Sequence, residues 1–564
     1  MELVPGTASA AIDGPPNVSK QLVVPAARIT SSSDNAAFGT LLSSIHDAQF
    51  GNQWHLTANI SNTHINVLPV WGAGVTGKGV VIQVADDGLD HTNLDLVDAF
   101  VPAVSFDYVS NSPDPMPKGT QAHGTKAAGL ALARKNDFCG VGVAYDASLA
   151  GARILPLAGE TVAPSDAREA AALSSNLDKI HVHSNSWGPG DDGVTVKGPG
   201  PLMAEAFRKN VVTGRGGKGS LYMWAAGNGR MDYDNCNYDG YANSIYTISI
   251  SAIHLGNQIA EYSEECPAIL VSTYSSFDYK DTTTAMTTCS FGVQGCVNNF
   301  GGTSAATPIA AGMVALMLQV RPELRWRDVL YLLVRNAVPL DLASPTWEKT
   351  TSTLMYSPRY GFGKMDAEKL VKAARTWPLI PGSMSEWHSP TKSVGRPIPA
   401  GVKIASVITV PAGDSVPGRI EQVQVSVNVS STALGYLVYT LRSPSGASSR
   451  LTTVRYHHDK TKLTDWLVWN LTTVRFWDEG QVAGDWTLEI LDSNIAHFGN
   501  WDSWGLHLYG MATKDYAVMK DNLAKAPQGQ TAAGGQQGAA PSGASTVTST
   551  LLHSVLALAI FFAL

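Results

Sequence analysis

Apolar positions between residues 80 and 377 follow two alternating patterns. Near-continuous apolar runs at 80–85 and 221–225 are typical of strands that are buried on both faces of a sheet. Longer apolar segments at 303–320 and 326–336 have the length of helices. Strands that alternate with helices predict an α/β domain with a parallel sheet between helical layers. We place this domain at residues 41–378.

Beyond residue 400 the pattern changes to short stretches in which apolar and polar residues alternate. These stretches are separated by turn-forming sequences such as Ser443-Pro444-Ser445-Gly446. The predicted strands lie at 420–429, 434–442, 486–490 and 504–509. Residues 400–512 are therefore predicted to form an all-β sandwich or jelly roll, joined to the first domain by a proline-spaced linker at 379–399.

The two ends of the chain differ from the domains between them. Residues 1–40 contain no apolar core of the kind found in signal peptides. Residues 513–550 are predicted to be a flexible polar stalk, and residues 551–564 are largely apolar. Fourteen residues of helix reach roughly 21 Å, which is less than the ~30 Å core of a bilayer. We expect a glycolipid (GPI) anchor signal there, with a short transmembrane anchor as the alternative.

Composition narrows the class of protein. The chain is 44% hydrophobic and 15% charged, which is typical of a globular protein, and its net charge is −7. This mild acidity argues against nucleic-acid binding and suits a protein that attracts basic peptides. The five cysteines do not have the spacing of a zinc site. Asn-X-Ser/Thr sequons at Asn17, Asn59, Asn428 and Asn470 give weak support for glycosylation in the secretory pathway.

Three residues at the ends of predicted elements form a candidate catalytic set. Asp86 follows the strand at 80–85, His123 begins a helix of small residues, and Ser304 opens the apolar helix. A serine hydroxyl needs a base to take its proton, and His123 can do so while Asp86 holds the imidazole tautomer. Asn228, after the strand at 221–225, can donate its amide protons to an oxyanion.

Short motifs surround these residues: Asp86-Asp87-Gly88, His123-Gly124-Thr125, Ser186-Trp187-Gly188-Pro189, Ala226-Gly227-Asn228-Gly229, Cys236-Asn237-Tyr238-Asp239-Gly240-Tyr241 and Gly302-Thr303-Ser304-Ala305. In these motifs the chain resembles the subtilisin-like serine proteases and, within them, the kexin/furin proprotein convertases of the fungal kexin type. The order Asp, His, Ser along the chain is that of subtilisins. The resemblance runs from about Asp47 to Gly510, and it implies a subtilisin-like catalytic domain followed by a P-domain.

The resemblance also implies where basic substrate side chains bind. Around the cleaved bond, Asp191 and Asp239 would lie at the P1 pocket, Asp87 would face P2 and Glu169 would face P4. Two departures from the family pattern matter here. Residues 118–122 hold no acid where a second P2 carboxylate commonly stands, and Lys197 occupies a position where some members have an acid on the P4 side. We therefore expect P1 Arg, a firm P2 Lys/Arg preference from Asp87 alone, and weak P4 selectivity.

Calcium and two disulfides follow from the same resemblance. The first calcium site would use Asp47, Asp95, Asn136 and the backbone carbonyls of Phe138 and Gly140. The second site would use Asp191, Asp234 and Glu264, and the third would use Asp107 and Asp114. The implied disulfides are Cys139–Cys296 and Cys236–Cys266, and Cys289 is then not part of a disulfide. Disulfides imply the secretory pathway. Kexin-like enzymes usually have a cysteine where this chain has Ala127, so we expect a lower sensitivity to thiol reagents.

The expected function is that of a calcium-dependent serine endoprotease. It would cleave secretory precursors on the C-terminal side of Lys-Arg or Arg-Arg pairs, while anchored in late Golgi membranes or at the cell surface. Convertases carry a pro-segment that ends at a basic pair, and residues 1–46 contain none. Two alternatives stay open: a surface protease of broader specificity, because two acidic subsites are altered, and a non-catalytic surface antigen or adhesin.

Overall fold

The computed structural model describes residues 41–57, 63–157, 159–160, 165–278, 283–459, 465–494 and 498–525. The N-terminal segment 1–40, the apolar tail 551–564, most of the predicted stalk and two of the sequons (Asn17 and Asn59) lie outside the described residues. Within the described part, the helix Thr303–Val320 is long and apolar enough to cross a membrane, but 89% of it is buried inside the protein. It is therefore a core helix.

A seven-stranded sheet forms the centre of the first domain. Its strands are β1 (Val81–Asp86), β2 (Phe106–Asp107), β3 (Ser148–Arg153), β4 (Val182–Asn185), β5 (Leu221–Ala225), β6 (Thr247–Ile253) and β7 (Val271–Tyr274). All pairs are parallel, in the order β2-β3-β1-β4-β5-β6-β7. Because the chain order reverses at β1, ligands are expected at the carboxyl end of this strand.

Helices flank this sheet, as the alternating pattern predicts. They span Trp54–Thr57, Leu68–Gly72, His123–Leu132, Ser165–Leu173, Pro201–Gly217, Thr303–Val320, Trp326–Asn336 and Ala367–Thr376. Two antiparallel strand pairs complete the domain: β8 (Met286–Cys289) with β9 (Cys296–Phe300), and β10 (Glu348–Lys349) with β11 (Met355–Tyr356). Thr303–Val320 is buried over sixteen of its eighteen residues, which explains why its sequence is apolar on all sides.

The second domain is a sandwich of two antiparallel sheets. One sheet contains β12 (Ser385–His388), β13 (Lys392–Ile398), β15 (Arg419–Ser431), β18 (Asp465–Thr473) and β20 (Gly499–Met511). The other contains β14 (Lys403–Val410), β16 (Leu437–Arg442), β17 (Ser448–Arg450) and β19 (Gly484–Asp492). The predicted all-β architecture is confirmed. The strands predicted at 420–429, 486–490 and 504–509 are longer in the structure, whereas the one predicted at 434–442 begins at Leu437, after a short 3₁₀ helix Leu434–Tyr436.

Two predicted boundaries differ from the structure. The segment 379–399, expected to be a linker, contributes β12 and β13, which both pair with β20. Apolar side chains at Trp387, Val394 and Ile398 pack on the core of the sandwich, and this burial outweighs the prolines that suggested a linker. The predicted stalk also begins with a helix, Thr513–Lys525.

The two domains share buried contacts. Val474 and Trp477 of the sandwich belong to the hydrophobic core of the first domain. In the opposite direction, Tyr238 of the first domain packs into the core of the sandwich. A buried ion pair joins Arg327 of the helix Trp326–Asn336 to Glu421 of β15.

Candidate active site

The acid and the histidine of the candidate set meet at the carboxyl end of β1. Asp86 is the last residue of this strand, and His123 is the first residue of the helix His123–Leu132. His123 Nδ1 lies 2.9 Å from both carboxylate oxygens of Asp86, whose side chain is 1% exposed. Burial by itself lowers the pKa of His123, but the Asp86 carboxylate outweighs it, so that the pKa is raised. The pair holds Nδ1 toward the acid, and Nε2 can serve as the base.

Ser304 lies in the first turn of the buried helix Thr303–Val320. Gly302 precedes this helix with a φ of 76°, which glycine adopts without strain. Pro308 has no N–H to donate to the Ser304 carbonyl four residues earlier. The Ser186 hydroxyl donates to that carbonyl instead, at 3.0 Å, and Ser304 Oγ donates to the Ser186 carbonyl at 3.2 Å. This reciprocal contact fixes the serine at the N-terminus of the helix.

The three candidate residues gather at one edge of the sheet. Ser186 directly follows β4, and β4 is paired with β1, so the contact between Ser186 and Ser304 brings the serine toward the strand of Asp86. Phe300, the last residue of β9, packs its ring edge-on against His123 with centroids 5.4 Å apart. The segment that leads into Ser304 therefore also contacts the histidine.

Asn228 is oriented by Thr303, the residue before the candidate nucleophile. Asn228 Oδ1 accepts the backbone N–H of Thr303 at 2.7 Å and its hydroxyl at 2.9 Å. These donors identify the oxygen of the amide, so the opposite atom is Nδ2. Nδ2 donates to Asp191 Oδ2 at 3.1 Å. Because an amide nitrogen carries two protons, this contact uses one of them.

Asp87 supports the histidine helix directly. Its Oδ2 accepts the N–H of His123 at 3.0 Å, and its Oδ1 accepts the N–H of Gly124 at 2.8 Å. Ala122, at the N-cap position, has no side-chain acceptor, so Asp87 supplies the cap. Burial, followed by the charge of Asp86, raises the pKa of Asp87 to about 6. The predicted P2 carboxylate thus also holds the base in place.

Asp239 faces a gap that Gly188 leaves open. A side chain at Gly188 would come within 2.7 Å of the Asp239 carboxylate. Asp239 Oδ1 accepts the N–H of Tyr241 at 2.7 Å. Burial raises the pKa of Asp239 to about 8, and the charge of Asp191 adds to the shift. This carboxylate is therefore short of a positive partner, as a binding site for a guanidinium should be.

Asp234 and Glu264 lie close to Asp191. Burial, with the charges of Asp234 and Asp191, raises the pKa of Glu264 well above its usual range. Glu264 Oε1 accepts the N–H of Gly229 at 2.9 Å. Asp234 pairs with the guanidinium of Arg455, with 3.0 Å between Oδ1 and Nε. Within the described residues, no group of three or more His, Cys, Asp or Glu has the geometry of a metal site.

Glu169 is buried and already engaged. Its Oε2 accepts the hydroxyl of Tyr241 at 2.6 Å. Burial raises the pKa of Glu169, and the charge of Lys197 acts in the opposite direction. This hydrogen bond occupies one carboxylate oxygen, and the positive charge of Lys197 opposes an additional cation from a substrate.

The first predicted calcium set comes together around Asn136. Asp47 Oδ1 accepts the N–H of Asn136 at 3.0 Å, and Asp95 Oδ1 accepts its Nδ2 at 3.1 Å. Burial raises the pKa of Asp47 to about 6 and that of Asp95 to about 7. Gly140 N–H lies 3.4 Å from Asp95 Oδ2. The Phe138 carbonyl accepts the backbone N–H of the residue that follows Asp47. Asp47 Oδ2 is buried without a hydrogen-bond partner, and the two carboxylates suit a hard cation. The amide oxygen of Asn136 accepts the N–H of Phe138 at 2.7 Å and would have to turn to bind the same ion.

The third predicted calcium pair has other partners. Asp107 forms a buried ion pair with Arg153, with 3.2 Å between Oδ2 and Nη1. Asp114 is exposed and contacts His91 Nε2 at 3.0 Å. The guanidinium of Arg153 already supplies a positive charge to Asp107, so this acid has less need of a bound cation.

Both implied disulfides, Cys139–Cys296 and Cys236–Cys266, are present, which confirms the pairing. Cys289 is free and buried. Its Sγ lies 3.5 Å from the carbonyl of Thr125, under the histidine helix. Burial raises the pKa of this thiol well above its usual range.

Sequence reasoning missed several supporting residues. Ser186 stands within the quoted Ser-Trp-Gly-Pro motif, and Thr303 directly precedes the nucleophile, so both positions carried a signal. The capping role of Asp87 could have been inferred from Ala122, because alanine has no side-chain acceptor with which to cap the helix. Arg455 gave no signal, because its contact with the acids depends on how the two domains dock.

A serine on a core helix and an acid–histidine pair on a parallel sheet define a subtilisin-like serine hydrolase. The chain belongs to the subtilase family. The Subtilase family model matches residues 77–363, and the Proprotein convertase P-domain model matches residues 420–508. The combination of this catalytic domain with a P-domain is similar to that of the kexin/furin-like proprotein convertases.

Curated relatives agree with the family, and a solved structure agrees with the fold. Kexin of Saccharomyces cerevisiae is 39% identical over 477 residues, which cover 83% of this chain and 57% of the relative. Furin of Homo sapiens is 36% identical over 482 residues, with 84% and 59% covered. For Furin-like protease 1, isoform 1-CRR, of Drosophila melanogaster the identity is 38% over 478 residues, with 83% and 42% covered. The chain thus spans about two-fifths to three-fifths of the length of these relatives.

A solved structure, the Aeromonas sobria serine protease in complex with its chaperone, shares the fold. Its TM-score is 0.74 at 22% sequence identity, and the match covers 83% of this chain and 96% of that chain.

Proposed function

We propose that this protein is a calcium-dependent serine endoprotease that cleaves precursor proteins after paired basic residues such as Lys-Arg and Arg-Arg. The observation that carries this proposal is the reciprocal contact of Ser304 with Ser186 beside the His123–Asp86 pair. The similarity to kexin and furin supports a role in processing precursors.

The triad residues act in sequence on the scissile bond. Ser304 Oγ turns its proton from the Ser186 carbonyl to His123 Nε2. His123 Nε2 takes this proton as the oxygen attacks the carbonyl carbon, and Asp86 stabilises the imidazolium. Asn228 donates the second proton of its Nδ2 to the oxyanion. His123 then gives its proton to the leaving amine, and a water molecule activated by the same base hydrolyses the acyl-enzyme.

The P1 pocket selects arginine through Asp239 and Asp191. A guanidinium beside Asp239 supplies the counter-charge that this buried carboxylate lacks, and a bidentate pair adds directional specificity. At P2, selection falls to Asp87. At P4, the engaged Glu169 and the nearby Lys197 give weak selection.

One observation favours the second candidate function, a protease of broader specificity. Both oxygens of Asp87 accept backbone N–H groups of the histidine helix. If these bonds take up most of its capacity, a basic P2 residue gains little there. The relative cleavage of Lys-Arg and Ala-Arg peptides separates the two functions.

Calcium would occupy the Asp47, Asp95 and Asn136 set first. When bound, the ion supplies positive charge to two buried carboxylates and ties the N-terminal part of the catalytic domain to the loop 136–140. A second ion at Asp191, Asp234 and Glu264 would neutralise the cluster next to the P1 pocket. Secretory-pathway membranes or the cell surface are the proposed location, with the C-terminal tail as anchor.

The test is cleavage of fluorogenic peptides by the full chain, expressed in a secretory host with a convertase pro-segment supplied. Lys-Arg, Ala-Arg and Lys-Ala peptides are compared with calcium and with a chelator, beside the Ser304→Ala variant. We expect calcium-dependent cleavage of the Lys-Arg peptide well above the others, abolished in the variant. Equal cleavage of Ala-Arg supports the broader protease. A folded protein that cuts none of these peptides supports the non-catalytic antigen or adhesin.

A further inference from the structure

We infer that the P-domain positions the substrate pocket, because Arg455 holds the segments that carry the acids of P1. The contacts of Arg455 are seen in the structure, whereas the assignment of the pocket to P1 rests on the proposed function. Arg455 is a positioning residue here, since it acts on substrate through other side chains.

Arg455 is buried, and its contacts cross the domain boundary. Its side chain is 0% exposed, and its Nε lies 3.0 Å from Asp234 Oδ1. Nη2 donates to the carbonyl of Thr195 at 2.8 Å. The guanidinium also lies over the ring of Tyr238, 4.4 Å from the centroid. A single P-domain side chain therefore holds three residues of the catalytic domain.

Two of these residues lead directly to the catalytic groups. Asp234 uses its other oxygen, Oδ2, to accept the N–H of Gly193 at 2.9 Å. Gly193 and Thr195 belong to the loop that begins at Asp191. Asp191 Oδ2 in turn accepts both the backbone N–H and the Nδ2 of Asn228, each at 3.1 Å. A shift of this loop would move a P1 acid and the oxyanion amide together.

The segment that carries Asp239 is fixed to the P-domain as well. Asn237 Nδ2 donates to the Leu451 carbonyl at 2.7 Å, and its Oδ1 accepts the N–H of Thr472 at 2.9 Å. Asn243 Nδ2 donates to the Asn470 carbonyl at 2.8 Å. Asp239 lies between these two anchors along the chain, so the P-domain holds the second P1 acid from both sides.

Charge explains why the guanidinium is needed at this point. Asp234 and Glu264 are both buried, with 7% and 2% of their surface exposed, and Nε of Arg455 lies 3.0 Å from Asp234 Oδ1. Removing the positive partner of a buried carboxylate leaves its desolvation uncompensated. The carboxylate then has to move toward water, and Gly193 and its loop have to follow. A loss of Arg455 should therefore weaken substrate binding as well as stability.

The chain offers a matched control. Arg327 and Glu421 also form a buried ion pair across the domain boundary, with 3.0 Å between Nε and Oε2. This pair joins the helix Trp326–Asn336 to β15, and Arg327 donates in addition to the Gly510 carbonyl. None of these partners belongs to the loop 191–195 or the segment 234–243.

The experiment compares the full-chain variants Arg455→Met, Arg455→Lys and Arg327→Met. The melting temperature, kcat and KM for a Lys-Arg peptide are measured at a temperature where all variants are folded. We expect Arg455→Met to lower kcat/KM by about tenfold to a hundredfold, since displacement of positioning groups by about 1 Å has effects of this size, with KM raised. Arg455→Lys should recover part of the loss, and Arg327→Met should lower the melting temperature while kcat/KM stays within about twofold.

Hydrogen–deuterium exchange of the same variants gives a readout that needs no activity. Amides at 191–195 and 234–243 should exchange faster in Arg455→Met than in wild type, and should be unchanged in Arg327→Met. If Arg455→Met and Arg327→Met behave alike in both KM and local exchange, the inference is overturned. A wild-type protein that cuts no basic peptide refutes the proposed function, and the exchange comparison still decides whether Arg455 holds the loop.

Discussion

Replacing Asp86 by asparagine separates the role of its charge from that of its shape. An amide of the same size can keep the contact with the Asp87 N–H, which lies 2.7 Å from Oδ1. It cannot keep the negative charge next to His123, which lies 2.9 Å from both oxygens. An amide can also donate to Nδ1, and this favours the imidazole tautomer whose Nε2 already carries a proton. That tautomer cannot take the proton of Ser304.

The size of the effect follows from this loss. In enzymes with a Ser-His-Asp triad, the same change lowers kcat by about 10,000-fold, which corresponds to about 5.4 kcal/mol of transition-state stabilisation. We expect Asp86→Asn to show a loss of this order with the Lys-Arg peptide. Asp414→Asn, on an exposed P-domain turn, is the matched control and should keep wild-type activity.

The pH dependence supplies an independent check. His123 must be neutral to act as a base, so activity rises with pH through its pKa. Asp86 raises that pKa above the ordinary 6.5 against the effect of burial. Without the carboxylate, burial dominates, and the acid limb of kcat/KM should move to lower pH. The stabilisation from the charged pair is fully present below the unfolded pKa and is lost as pH rises through the raised folded pKa.

The assay is therefore kcat/KM between pH 5 and 9, together with the melting temperature over the same range. Asp86→Asn should be destabilised relative to wild type more at low pH than at high pH. A fall in kcat of less than about tenfold, or an acid limb that does not move, would refute the proposed role of Asp86.

Other changes have distinct expected outcomes. Asp239→Asn should lower kcat/KM for P1 Arg by about 30-fold or more, as expected for a lost buried charge partner worth about 2–5 kcal/mol, and an unchanged ratio of P1 Arg to P1 Ala cleavage would count against this pocket. Calcium at a hundred times its Kd should stabilise the fold by about 2.7 kcal/mol, which is measured as a rise in melting temperature. This rise should be smaller in Asp95→Asn, and an equal rise in wild type and in Asp95→Asn would contradict the first calcium site. Cys289 is buried and its pKa is raised, so mercurials should inactivate the enzyme slowly; rapid loss of activity at low concentration in wild type, prevented in Cys289→Ala, would show that this thiol is accessible.

The sequence predicted the features that depend on local pattern and short motifs. The helix Thr303–Val320 and the strand Leu221–Ala225 have the predicted bounds, because continuous apolar runs between turn residues leave few other structures. Asp86 and His123 are joined as expected, since both stand at the ends of elements on one edge of the sheet.

Features that depend on docking and on shared hydrogen bonds were not predictable. Strands β12 and β13 arise only because β20 offers an edge to the segment 379–399. The ion pair between Asp107 and Arg153 joins side chains that meet only in the folded protein. Arg455 likewise acquires its role from the surface against which the P-domain packs. Sequence spacing alone does not contain this information.

Every step of the proposed reaction requires that Ser304 is the nucleophile and that His123 activates it. A fluorophosphonate that carries no P1 side chain tests this without reference to substrate specificity, with the labelled peptide identified by mass spectrometry. We expect one label per chain, on Ser304, absent in Ser304→Ala and greatly slowed in His123→Ala. Labelling at another residue, or labelling of Ser304 that proceeds equally fast without His123, would contradict the account.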